Sequence, residues 1–135
     1  MSKNYKIIQL RGNNPRVYSL IGPYAMNSSV VRRLENPITT NDKTTWLLLY
    51  ESDILKAFCA VMETDVSMHI KNFIPVDGDN SWFFEFIRII TEEFYDSEAD
   101  KLYCYVPTNL LEPALDLGFK ETAPGKNWHR LIKEK

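Results

Sequence analysis

The stretch from Val66 to Asp96 decides the fold. It runs V-S-M-H-I-K-N-F-I-P-V from Val66 to Val76, D-G-D-N-S from Asp77 to Ser81, and W-F-F-E-F-I-R-I-I-T-E-E-F-Y-D from Trp82 to Asp96. The first part reads as a strand. Val66, Met68, Ile70 and Ile74 give one apolar face, and Ser67, His69 and Lys71 a more polar one. The second part is a short acidic turn. The third is a helix, with Phe83, Phe86, Ile87, Ile90 and Phe94 at helical spacing in one stripe and Asn80 or Ser81 as its cap. A strand feeding a helix through a polar turn places free backbone N–H groups at the turn, where ligands of α/β proteins often sit.

Working outward, three strand signals lie close together. Thr44 to Tyr50 is a continuous apolar run, expected to be buried on both faces. Ile54 to Met62 and Val66 to Ile74 follow after turns short enough to make the three antiparallel neighbours. Upstream, Tyr5 to Leu10 is β-prone. Asn14 caps a first helix with Pro15 at its first position, and Gly22-Pro23 ends or kinks it. Ser28 or Ser29 opens a second short helix through Val30, Val31 and Leu34, and Glu35 to Asp42 is a loop. Downstream, Lys101 to Val106 is a strand. Pro107-Thr108-Asn109 opens a short helix over Leu110 to Leu117, with Gly118 just past its end. Phe119 to Thr122 and Asn127 to Ile132 form a terminal hairpin.

The order β-α-α-β-β-β-α-β-α-β-β is that of an α+β protein with a mixed sheet, the strands at Ile70 and Val106 being parallel across a β-α-β crossover. At 135 residues, 44% hydrophobic and 13% aromatic, one packed domain over residues 1–135 is expected. The net charge of −2 leaves no basic footprint for nucleic acid and no polybasic membrane patch. No apolar run spans a bilayer, and the first ten residues lack the apolar core of a signal peptide, so a cytoplasmic location is expected. Cys59 and Cys104 fall inside apolar runs and read as buried free thiols. No metal is expected. The cysteines lack ligand spacing, and a calcium loop starting at Asp77 would need a carboxylate at its twelfth position, where Arg88 stands.

Several short motifs, in order along nearly the whole chain, resemble the GCN5-related N-acetyltransferase (GNAT) superfamily. They are Leu48-Leu49-Tyr50 with Phe58-Cys59-Ala60, Ile70-Lys71-Asn72-Phe73-Ile74, Ile89-Ile90, Asn109 in P-T-N-L-L, Leu117-Gly118-Phe119-Lys120-Glu121 and Asn127-Trp128-His129-Arg130-Leu131. The resemblance implies the acyl-CoA N-acyltransferase fold. It also implies acetyl-CoA in a V between the fourth and fifth strands, an amine acceptor on a small molecule or protein, and room for a homodimer. It places the pantetheine against the backbone of Phe73, Ile74 and Pro75. The pyrophosphate falls near Gly78, Asn80, Ser81 and Trp82, and a cofactor contact at Asn109, which reads equally as the N-cap of its own helix. It offers His69 as a base and Tyr105 as an acid. Tyr103, His129, Glu63 and Glu112 are further polar candidates.

The chain departs from the family at two places. Aligned on Val76, the Gln/Arg-x-x-Gly-x-Gly/Ala loop falls on Ser81, Phe84 and Phe86; aligned on Ile74, it falls on Asp79, Trp82 and Phe84. Asp77 and Asp79 put negative charge where a pyrophosphate belongs. The position of the family's acid tyrosine, four residues before Gly118, is Ala114. Two functions follow: transfer of acetyl from acetyl-CoA to an amine, or a catalytically inactive binding module on the same scaffold, such as a phage or mobile-element accessory protein. The acidic pI of 5.7 argues against a nucleic-acid accessory role.

Overall fold

The computed structural model describes residues 4–25, 43–125 and 127–135. The second helix expected near Val30 and the loop from Glu35 to Asp42 lie outside the described residues. Seven strands form one sheet in the order β1-β2-β3-β4-β5-β7-β6. They are β1 (Lys6–Arg11), β2 (Thr44–Glu51), β3 (Ile54–Glu63), β4 (Ser67–Pro75), β5 (Lys101–Pro107), β6 (Lys120–Pro124) and β7 (Trp128–Glu134). Three helices accompany them among the described residues: α1 (Pro15–Ala25), α2 (Trp82–Asp96) and α3 (Thr108–Asp116). All neighbours are antiparallel except β4 and β5, which run parallel as the crossover requires.

The sheet is buried on both faces by alternation. On one face Leu47, Leu49, Cys59, Met68, Ile70, Leu102, Cys104, Val106 and Leu131 pack under α2 and α3. On the other, Trp46, Leu48, Phe58, Ala60 and Ile74 pack against Leu10 and against Val17 and Ile21 of α1. The run Trp46 to Leu49 is fully covered because it feeds both cores in turn. α2 buries Trp82 together with the expected stripe of Phe83, Phe86, Ile87, Ile90 and Phe94. Burial of that kind stabilises by about 2 kcal/mol per large side chain. Cys59 and Cys104 are buried free thiols. Burial pushes Cys104 up to about 12 and Cys59 higher still, so neither is a nucleophile at neutral pH.

Three local expectations are corrected. Gly22-Pro23 does not end the first helix, which continues through them to Ala25. Asn14 does cap it, its Oδ1 accepting from Arg16 N at 2.9 Å. Val66 is exposed and lies outside β4. The even-numbered apolar face of β4 also fails at its far end. Asn72 has φ +56°, and the β3–β4 register slips between Phe58↔Ile74 and Ala60↔Lys71. The extra residue flips every later side chain to the opposite face. Ile74 therefore joins the α1 side, and Phe73 packs edge-on against Phe83 and Phe86 of α2, at 5.3 and 6.1 Å between ring centroids.

Candidate active site

The bulge at Asn72 coincides with a fork in the sheet. β4 and β5 pair only from Ser67↔Lys101 to Ile70↔Cys104. Beyond that, β4 stays with β3 as far as Pro75, and β5 stays with β7 as far as Pro107. Phe73, Ile74 and Pro75 on β4 and Tyr105, Val106 and Pro107 on β5 lie beyond the last pair, where the two strands are no longer bonded to each other. A gap between parallel strands presents backbone donors and acceptors along its edges, a ready match for the amides of an extended ligand arm.

His69 sits at the closed end of the fork. Its ring stacks on Tyr103 at 4.9 Å with 13° between planes, and Ser67 Oγ lies 2.9 Å from its Nε2. The Arg130 guanidinium covers the same tyrosine at 4.5 Å. Burial lowers the His69 pKa below its usual 6.5, and the positive charges of Arg130 and Lys71 lower it further. The imidazole is therefore neutral at pH 7 and able to accept a proton. Tyr105, two residues beyond Tyr103, lies on the same face of β5 and is half-buried. Ala114, at the expected acid position, is fully buried in the core.

At the mouth of the fork the turn before α2 is internally closed. Asp77 Oδ1 accepts from Asp79 N at 3.0 Å, and its Oδ2 accepts from Trp82 Nε1 at 3.0 Å. Asp79 Oδ1 accepts from Ser81 N at 2.9 Å and from Ser81 Oγ at 2.6 Å. The N–H groups of Trp82, Phe83 and Phe84 bond to the carbonyls of Asp79, Asn80 and Ser81. Ser81, one of the two expected residues, holds the N-cap position of α2, but its hydroxyl donates back to Asp79 and no side chain caps the helix N–H groups. A carboxylate already lies against the positive end of α2. Gly78, at φ +83°, keeps open space over its Cα.

At the other lip of the fork α3 begins at Thr108, directly after β5, earlier than expected. Asn109 is the second helical residue and exposed, so it is not a cap; that position is Pro107, and no side chain caps the helix. His129, expected at the surface or half-buried, is buried instead. Thr108 Oγ1 lies 3.0 Å from His129 Nε2, and Glu121 Oε2 bonds to His129 Nδ1. Thr108 and Glu121 carried no signal of this in the sequence, because the contact is made only once β7 inserts between β5 and β6. Glu63 and Glu112 are exposed, as expected, and lie outside both groups.

Among the described residues no cluster of three or more metal-ligating side chains occurs, and no helix is long and apolar enough to cross a membrane. An open depression of about 680 Å³ lies at the opposite end of β4 from the fork, where Arg11 and Lys43 meet Glu63, Asp65, Asp96 and Glu98. Four carboxylates outnumber two cations on its rim, and we place no ligand there.

The mixed sheet, the bulge in β4, the β4–β5 fork and the helices around it match the acyl-CoA N-acyltransferase fold. Neither family models nor curated proteins give a match. Solved structures do, over nearly the whole chain. An acyl-CoA N-acyltransferase from Pseudomonas aeruginosa aligns with TM-score 0.71 at 10% identity, covering 96% of this chain and 99% of that one. A GNAT family acetyltransferase from Elizabethkingia anophelis with acetyl-CoA bound aligns with TM-score 0.68 at 12% identity, covering 99% and 100%. An N-acetyltransferase from Staphylococcus aureus Mu50 gives 0.64 at 18% identity, covering 96% and 97%. At such identities the likeness is one of fold.

Proposed function

We propose that the protein is an N-acetyltransferase that moves acetyl from acetyl-CoA to an amine on a small molecule or protein. The observation carrying this reading is the fork, in which paired β4 and β5 part beyond Ile70 and Cys104. Its edge at Phe73, Ile74 and Pro75 fits a pantetheine arm, whose amides replace the missing strand partner. Asn109, exposed at the start of α3, lies beside the same gap. Acetyl-CoA, when bound, supplies an acetyl thioester at the closed end of the fork. His69, neutral because of burial and its cationic neighbours, takes the proton of the incoming ammonium, directly or through a water. Tyr105, on the same face two residues past the ring that His69 stacks on, is the first residue of β5 beyond the end of its pairing with β4 and is assigned as the acid.

The α2 turn does not fit a pyrophosphate in the same way. Gly78, Asn80, Ser81 and Trp82 offer a phosphate room and N–H groups only at the expense of the Asp79 contacts to Ser81, and Asp77 and Asp79 repel it. That observation favours a second reading, a binding module that keeps the fork but not the turnover. A thermal shift with acetyl-CoA separates the readings. At ~100 times its dissociation constant the ligand adds roughly 2.7 kcal/mol to stability. No shift at millimolar ligand rejects both the transferase and any acetyl-CoA-binding module. A shift without amine-dependent release of free thiol leaves the binding module.

A further inference from the structure

We propose that Thr108, His129 and Glu121 form an acyl-transfer triad on the α3 lip of the fork, with Thr108 Oγ as nucleophile toward a thioester or an activated ester. The geometry is that of a hydroxyl, an imidazole and a carboxylate in line. Thr108 Oγ1 stands 3.0 Å from His129 Nε2, and Nδ1 of the same ring bonds to Glu121. An acceptor carboxylate on Nδ1 fixes the proton there in the neutral ring, which leaves the Nε2 lone pair facing the hydroxyl. The other contact of the hydroxyl, to the Asn127 carbonyl at 3.5 Å, is at the limit of a hydrogen bond, so the imidazole is the better acceptor. His129 is buried while Thr108 is exposed, so the base is shielded and the nucleophile reachable.

The placement adds a second element. Thr108 is the first residue of α3, straight after β5, and no side chain caps the N–H groups of that helix. A tetrahedral intermediate on Thr108 would develop its negative charge beside the positive end of α3. The step balances without any further reagent. The Oγ–C bond forms as the C–S or C–O bond of the substrate breaks. The Thr108 proton passes to His129 Nε2 and on to the departing thiolate or alkoxide. A water, deprotonated by the same Nε2, then attacks the acyl-threonine. It releases the carboxylic acid and returns the Oγ–H. Thr108 and His129 handle the reacting atoms, and Glu121 positions the ring.

The inference goes beyond the acetyl-CoA reading and does not depend on it, because a simple ester needs no coenzyme site. The test is p-nitrophenyl acetate hydrolysis by the full chain, with intact-mass and peptide mapping of quenched samples. The expected result is one acetyl group on Thr108 and a roughly 100-fold loss of hydrolysis in Thr108→Val. Thr108→Ser keeps most of the rate. Glu121→Gln, an exposed change that spares the core, lowers turnover at saturating ester more than it raises KM. Thr108→Val hydrolysing as fast as the unmodified protein, or acetyl mapped only to other residues, overturns the triad. So does Glu121→Gln with unchanged turnover, should Thr108→Val fail to fold.

Discussion

Two helices follow the parallel strands of the fork, α2 after β4 and α3 after β5, and their amino ends are built differently. α2 enters through an acidic turn in which Asp79 accepts from the N–H and hydroxyl of Ser81 at the N-cap and Asp77 holds the Trp82 indole. It is anchored by six buried side chains, of which four are aromatic. α3 enters straight from β5, behind Pro107, with no side-chain cap and only Leu110 and Ala114 buried. A helix amino end attracts anions through its unsatisfied N–H groups and its dipole. Where the chain supplies its own acceptor, as at α2, that capacity is spent internally. At α3 no acidic residue stands in the first turn; the Thr108 N–H bonds to the Asn127 carbonyl, and a hydroxyl–imidazole–carboxylate group stands beside the helix end. Fold alone does not assign anion binding to a helix; the residues in its first turn do.

The largest expected effect tests the anchoring half of this contrast. Phe86 is fully buried under α2, beside Phe73. Phe86→Ala should cost about 3–5 kcal/mol of unfolding free energy in urea, and Leu110→Ala on α3 nearer 2–3 kcal/mol. Equal losses would mean that α3 is as firmly seated as α2. The next effect concerns charge. Asp77→Asn with Asp79→Asn keeps oxygen acceptors for the Ser81 and Trp82 donors but removes two negative charges. If the coenzyme diphosphate lies at this turn, calorimetry should show acetyl-CoA binding at least ~10-fold tighter, since a close like-charge pair at surface dielectric is worth a few kcal/mol before salt screens it. Unchanged affinity would put the diphosphate elsewhere.

Much of the fold was legible in the residues. The stripe Phe83 to Phe94 and the run Trp46 to Leu49 name their elements because period and burial agree there. The parallel placement of β4 and β5 followed from the helix between them. The bulge was not legible. Asn72 carries no mark of its positive φ beyond the tolerance of asparagine for it, so strict alternation put Ile74 on the wrong face. The site divides the same way. His69 could be placed on the polar face of β4 by counting. The Thr108–His129–Glu121 group could not, since its members come from α3, β7 and β6 and meet only through the strand order β5-β7-β6. Ser81 was legible as the N-cap of α2, but the turn of its hydroxyl back to Asp79 was not.

The Asp79 contact gives a smaller prediction. Asp79→Ala should cost about 1 kcal/mol, because it removes the acceptor of the Ser81 N–H and hydroxyl just before α2. Asn109→Ala, at the corresponding end of α3, should change stability by less than about 0.5 kcal/mol, because Asn109 is exposed and the helix begins behind Pro107. Both are read from thermal melts at one pH. A loss at Asn109 matching that at Asp79 would restore asparagine as a cap and erase the asymmetry between the two ends.

The smallest effect is a control that belongs to neither helix end. His69 sits at the closed tip of the fork, between Tyr103, Ser67, Lys71 and Arg130. Its folded pKa is held below 6.5 by burial first and by the two cations second. The unfolded chain therefore takes up this proton before the folded one does. Stability from His69 is full above pH 6.5 and declines as pH falls through the interval from there to the lowered folded value, below which no more is lost. His69→Gln should flatten that part of the stability–pH curve while leaving stability at pH 8 nearly unchanged. Arg130→Gln should move the His69 proton resonance midpoint upward toward 6.5 but not to it, because burial remains. The same midpoint should set the acid limb of any amine acetylation if His69 is the base, whereas ester hydrolysis at Thr108 should ignore the His69→Gln change. If both activities lose their acid limb together in His69→Gln, the two sides of the fork are one site rather than two.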